Sequence, residues 1–302
     1  MIELYRNSVQ SWEIDMMGHM NVKFYVEKST AALAVLGHYL GLGPDYTRNT
    51  GARLIPVDHH IRFLHEQRSG APIVIRGGVV AAEAGGIRLY QEMVNAASGA
   101  IAATFTLTAT LQHAGSREAR PIPEAARQRA EALRMPVPEH GAARGLQLTP
   151  PRQAPTLSEA DDLGMLATWQ GPVLPRMGDA DGFLATDAHM GTVSDAIPNL
   201  LVHLTAEDRS DSSLGGAALE YRFVYRQPAR TGDLLALRSG IKEVGTKTYQ
   251  FGHWLFDIGT GEAVATAEAV AVMLDLSARK AVVIPAERRS VLERHIIPGL
   301  SA

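Results

Sequence analysis

Cysteine is absent from all 302 residues. Disulfides, thiolate metal sites and a cysteine nucleophile are thereby excluded, and the absence accords with a reducing cytoplasm. A dominant charge is also lacking: 29 Lys and Arg stand against 32 Asp and Glu, a net −3 with both signs interspersed. Such a balance leaves no footprint for nucleic acid or an anionic membrane surface. No apolar run approaches the ~18–20 residues of a membrane span. The opening MIELYRNSVQSW has no basic segment leading into an apolar one, so no signal peptide is expected. Two catalytic signatures are missing as well. There is no G-x-S-x-G elbow, which argues against a serine hydrolase, and VGTKTYQ (244–250) is no phosphate-binding loop. What remains is 46% hydrophobic and 20% charged, the balance of a soluble, intracellular globular protein. The length suits two domains of ordinary size.

Self-comparison reveals a repeat. IRFLHEQRSG (61–70) aligns with YRFVYRQPARTG (221–232), placing Arg62 on Arg222 at an offset of 160. LYQEMVN (89–95) aligns with TYQFGHW (248–254) at 159, and GAIAATFTLTATLQ (99–112) with GEAVATAEAVAVML (261–274) at 162. Three segments in one order at nearly one offset imply two copies of one domain. The expected division is 1–113 for the first copy and 166–285 for the second, with a tail or short helix at 286–302. The Pro-, Ala- and Arg-rich stretch 114–165 reads as a connector, with a short helix at 124–134 opened by Pro123.

Within the first copy, TFTLTATL (104–111) alternates Thr with apolar residues, the period of a half-buried strand. Residues 54–66, 72–83 and 87–97 also read as strands, separated by RSGAP and EAGG turns. Residues 22–40 carry Val22, Tyr25, Val26, Ser29, Leu33, Leu36 and Leu40 at helical spacing, stopped by Gly41 and Gly43. One long helix and an antiparallel sheet pack best with the helix against the sheet's apolar face.

The polar residues of EIDMMGHMN (13–21) sit just ahead of that helix. Asn21 is a good N-cap, and Asp15 suits the positive end of the helix. The same geometry also permits chemistry. Unpaired amides at a helix start can receive the oxygen of an acyl carbonyl, and a carboxylate upstream can attack the carbon or activate water. His19 or Asn21 would orient the water or hold the oxygen. Elsewhere, His59 and His60 next to Asp58 fall on opposite sides of a strand, so a shared metal with His65 is not expected. DADGFLATD (179–187) lacks the spacing of a calcium loop and reads as a turn. Arg62 and Arg222 are expected to pair with acids across the sheets, or else to contact a phosphate of a ligand.

DMMGHMNVKFYVEKSTAAL (15–33) resembles the D-x-x-G-H-x-N-x-x-x-Y signature of the 4-hydroxybenzoyl-CoA-thioesterase-like branch of the hotdog superfamily. LEYRFVYRQPARTGDLLAL (219–237) resembles that superfamily's second-strand segment more weakly. The resemblance implies an α+β fold of two tandem hotdog domains, each a long helix wrapped by an antiparallel sheet, forming a pseudo-dimer. It further implies a cytoplasmic hydrolase of acyl-CoA or acyl-carrier-protein thioesters, with no cofactor and possible association of double-hotdog units. Asp15 would be the catalytic carboxylate, aided by His19 and Asn21. Gly18 and Met20 would border the oxygen site, and Tyr25 would line the acyl or interface region. Aligning Asp179–Asp181 with Glu13–Asp15 sets Asp181 on Asp15 and, across four extra residues, His189 on His19. Gly191 then replaces Asn21, and Asp195 replaces Tyr25 within the first turns of a helix. Asp195 is thus a second candidate carboxylate and His189 a second binding candidate. Two other readings stay open: an enoyl-CoA hydratase or dehydratase, whose usual D-x4-H spacing differs from the D-x3-H here, and a non-catalytic acyl-CoA-binding protein.

Overall fold

In the computed structural model of the chain, residues 1–205 and 214–302 are described. Two compact units emerge: Met1–Ala142 with Thr186–Met190, and Ala143–Ala185 with Gly191–Ala302.

The first unit contains β1 (Ile2–Ser8), α1 (Val22–Tyr39), α2 (Pro44–Thr50), β2 (Ala52–Phe63), β3 (Pro72–Glu83), β4 (Gly86–Asn95), β5 (Ile101–His113), β6 (Ala119–Arg120) and α3 (Glu124–Glu131). Its strands pair antiparallel in the order β1-β3-β4-β5-β2, with β6 on β5. Helix α1 packs against β1, β2 and β3. It does so with Val26, Ser29, Ala32, Leu33 and Leu36, an i, i+3, i+4 stripe that is buried throughout. Each Leu or Val so buried contributes about 1.5–3 kcal/mol. The helix stops at Leu40, followed by Gly41 with φ 79°, and Arg129 of α3 donates to the Leu40 carbonyl at 3.2 Å.

The second unit repeats the plan. It holds α4 (Leu157–Asp162), β7 (Leu166–Pro172), most of α5 (Thr186–Thr205), β8 (Leu214–Tyr225), β9 (Leu234–Val244), β10 (Thr248–Asp257), β11 (Ala263–Asp275), β12 (Lys280–Ala281) and α6 (Ala286–Arg294). The strand order is β7-β9-β10-β11-β8, with β12 on β11. Val193, Ala196, Leu200 and Leu204 form the buried stripe of α5. The helix starts at Thr186, six residues before the TVSDAIPNLLVHL segment suggested by its letters. Asp187 occupies its first turn, where an acid complements the dipole, and buried Gly191 is carried inside it.

The segment between the copies is stitched down by the two repeat-related arginines. Arg62 Nη1 donates to the carbonyls of His140 (2.6 Å) and Ala142 (2.9 Å) in the first unit. Arg222 Nη1 donates to the Thr149 carbonyl at 2.7 Å in the second. Both guanidiniums hold connector carbonyls. Glu220 adds acceptors for the Arg144 and Gly145 amides, at 3.1 and 2.7 Å.

Among the described residues no helix is long and apolar enough to cross a membrane, and no cluster of three or more His, Asp or Glu is placed to hold a metal ion.

Candidate active site

Asp15 opens a tight turn that closes at His19. Its N–H donates to the His19 carbonyl at 2.9 Å, and its carbonyl accepts the Gly18 N–H at 3.0 Å. Gly18 has φ 79°, a conformation that costs other L residues about 1–2 kcal/mol. The Met17 N–H binds Asp15 Oδ1 at 2.9 Å. Oδ2 lies 3.3 Å from His19 Nδ1, and His19 Nε2 lies 3.7 Å from Glu66 Oε1. A carboxylate, an imidazole and a second carboxylate thus stand in line. The Asp15 and His19 side chains are each 20% exposed, so the line is fixed yet reachable.

Burial pushes the Asp15 carboxyl upward, but the His19 hydrogen bond and charge, with the Met17 and His19 amides, outweigh it. The net pKa falls below the ordinary carboxylate value. The His19 imidazole moves the other way: its hydrogen bond to Asp15 raises it, burial opposes, and the charges of Asp15 and Glu66 add to the rise. The turn presents an ionised carboxylate beside an imidazole whose protonated form that carboxylate favours.

The backbone bonds also decide which amides remain for a ligand. Met20 N–H donates to the Gln67 carbonyl at 2.7 Å, and Asn21 N–H to the Glu13 carbonyl at 2.8 Å. The Asn21 side chain accepts the Lys23 N–H at 2.9 Å, capping α1. The amides of Met20 and Asn21 are therefore engaged in the scaffold. Among the described residues the Val22 N–H, first in α1, meets no acceptor. Sequence reasoning did not single out Val22, although any first-turn amide past an N-cap is a candidate donor.

Tyr25 lies behind the turn rather than in it. It is 4% exposed and packs edge-to-face on Phe63 with ring centroids 5.1 Å apart. Burial, with the nearby charges of Glu66 and Asp15, raises its phenol pKa, so it remains neutral.

The second copy makes the same turn at a constant offset of 164. Asp179 N–H donates to the Phe183 carbonyl (2.6 Å), Gly182 N–H to the Asp179 carbonyl (3.1 Å), and Asp181 N–H to Asp179 Oδ1 (2.9 Å). Leu184 N–H and Ala185 N–H go to Ala229 and Met177, at 2.8 and 2.9 Å. Gly182 has φ 78°. The alignment through Asp181 is thus corrected: no four-residue insertion exists. Asp179 matches Asp15, Phe183 matches His19, Ala185 matches Asn21, and His189 matches Tyr25. His189 is buried at the start of α5, and Asp195 is exposed midway along it rather than in its first turn.

Three residues of the site carry no local sequence signal. Glu66 comes from the segment after β2. Gln67 offers its carbonyl to Met20 and is held by Asn95 Nδ2 at 2.8 Å. Lys28 reaches back from α1 to Glu13 Oε1 at 2.5 Å, with both side chains at most 5% exposed.

A family model described as the thioesterase-like superfamily matches residues 9–130 and, separately, residues 174–293. The chain belongs to the thioesterase-like superfamily. Each matched stretch of this thioesterase-like chain contains one copy of the turn. Solved structures of similar fold include a Lactobacillus plantarum protein provisionally named an oleoyl thioesterase, 11% identical, with TM-score 0.68 over 89% of this chain and 94% of that one. A 12:0-ACP thioesterase from Umbellularia californica is 13% identical, with TM-score 0.64 over 89% and 93%. An acyl-ACP thioesterase from Bacteroides thetaiotaomicron is 10% identical, with TM-score 0.64 over 88% and 96%. At these identities the likeness is one of fold, the α+β arrangement of two tandem hotdog domains. No curated protein is similar enough to the chain to match.

Proposed function

We propose that this member of the thioesterase-like superfamily hydrolyses acyl thioesters, acyl-CoA or acyl-carrier-protein, with Asp15 as the acting carboxylate. The observation that carries the reading is the Asp15–His19–Glu66 line, held on a glycine turn at the start of α1. A thioester carbonyl set at that helix start would direct its oxygen to the Val22 N–H, where an oxyanion donor supplies roughly 2.7–4 kcal/mol. Asp15 then takes a proton from water as the hydroxyl oxygen bonds to the carbonyl carbon, or attacks that carbon itself. Breaking the C–S bond releases the thiolate. After general-base attack the thiolate takes the proton held by Asp15, leaving the free acid. After direct attack a mixed anhydride is left on Asp15; one water hydrolyses it to the free acid and ionised Asp15, while its proton goes to the thiolate. His19 keeps the carboxylate ionised and oriented.

The test is thiol release from a panel of short, long, branched and aromatic acyl-CoAs, with the matching acyl-carrier-protein thioesters. Asp15→Asn should lower kcat by about 10²–10⁴ while the chain remains folded, with a melting temperature only modestly lowered by the lost charge. A parental rate in Asp15→Asn would refute the assignment, and a dead Asp195→Asn beside an active Asp15→Asn would move the chemistry to the second copy. Stabilisation of the parent by an intact thioester, with no thiol released over hours, would replace hydrolysis by binding alone.

A further inference from the structure

The buried pair of Glu13 and Lys28 stands out against the second copy. Lys28 is 2% exposed and Glu13 4%, and Nζ lies 2.5 Å from Oε1. Glu13 Oε2 accepts the Gln10 N–H at 3.0 Å, and the Glu13 carbonyl accepts the Asn21 N–H at 2.8 Å. One residue thus ties the strand side, the helix cap and the interior of α1 to the segment that leads into Asp15. Burying two charges is expensive, and an apolar replacement of similar volume is often neutral or stabilising. At the offset of 164 the second copy has Met177 and Thr192 at these positions. It forms the same turn with the same backbone bonds, Ala185 N–H to Met177 among them. The ion pair is therefore not needed to build the turn.

We propose that Glu13 and Lys28 are positioning residues. Their buried ion pair clamps the first turn to α1, so that Asp15 keeps one orientation toward the reacting carbonyl. The second turn does no chemistry and lacks the clamp. The activity arm of this inference rests on the thioesterase reading above; the exchange arm does not.

The experiment gives the full-length chain the second copy's residues, Glu13→Met with Lys28→Thr, beside Lys28→Arg. Amide hydrogen exchange of residues 15–21 is read together with kcat and KM for octanoyl-CoA, or for the panel thioester cleaved fastest. The double variant should remain folded, and exchange in the turn should rise about tenfold while β4 and β5 stay protected. Its kcat should fall about 10- to 100-fold, the scale expected of a small misplacement, with KM little changed. Lys28→Arg should restore most of the rate. Parental kcat in the double variant overturns the proposal, whether or not its turn loosens. Unfolding of the double variant also overturns it, because the pair would then belong to the scaffold. A looser turn in a chain whose parent cleaves no thioester supports the clamp and refutes the hydrolase reading.

Discussion

Asp15 and His19 shift in opposite directions, and the signs fix what acid should do to the site. The Asp15 pKa is lowered, so its contribution to stability is present above the unfolded value of about 3.9 and is lost as pH falls through the folded one. The His19 pKa is raised, so its contribution is full below about 6.5 and is lost as pH rises through the folded value. Activity that needs ionised Asp15 should hold down to about pH 4. Replacing His19 by Ala should then move the acid limb of kcat/KM upward, as a pH–rate profile will show. An unmoved limb would mean that His19 does not govern the carboxylate. This half of the site was legible because D-x-x-G-H-x-N packs its groups into one turn. Glu66 and Lys28 were not, since Glu66 reaches His19, and Lys28 reaches Glu13, from another part of the chain.

The turn itself is the element that decides register. Gly18 and Gly182 share φ near 79°, and the nearest atom a Cβ at Gly18 would meet is 3.9 Å away. Alanine at either position should therefore cost about 1–2 kcal/mol through backbone conformation alone. Denaturant titration should find similar losses for Gly18→Ala and Gly182→Ala, with turnover reduced only in Gly18→Ala. Equal loss of activity in both would assign chemistry to both turns. Aligning DMMG (15–18) with DADG (179–182) would have given the right register from letters alone. The acid-x-acid match misled because side chains drift while a left-handed glycine cannot. Helix α1 was readable within a residue of its ends, because its apolar stripe and flanking cap and glycines agree. The start of α5 was not, since Gly191 was set on the N-cap Asn21 whereas it sits, buried, inside the helix.

At the scale of the whole molecule, each unit encloses a buried histidine hydrogen-bonded to a serine. Ser29 Oγ lies 3.3 Å from His59 Nε2 and donates to Gln91 Oε1 at 2.6 Å. Ser239 Oγ lies 2.8 Å from His253 Nδ1 and 2.9 Å from Thr168 Oγ1. Burial pushes both imidazoles down to about 3, with the His60 charge adding to the fall of His59. Between the unfolded value of about 6.5 and that range, only the unfolded chain takes up these protons. Stability should then drop by up to about 1.4 kcal/mol per pH unit for each imidazole. Urea midpoints between pH 6.5 and 5 should show the slope, and His59→Leu with His253→Leu should flatten it. A slope unchanged in that double variant would place the proton uptake elsewhere. These networks join residues far apart in sequence, as do the arginine contacts that hold the connector. Backbone carbonyls as acceptors leave no trace in side-chain letters, which is why the role of Arg62 and Arg222 needed coordinates.

The duplicated turn also bears on how the chain can change over generations. Both copies must keep the glycine that shapes the loop, so drift at Gly18 and Gly182 is equally restrained. On the proposed reading, Asp15, His19 and the buried ion pair would answer to chemistry, and Phe183, Leu184 and Ala185 to packing. If the chemistry resides in the first copy, a duplicated gene of this kind has a spare socket: one half would preserve the activity while the other is free to acquire a new one.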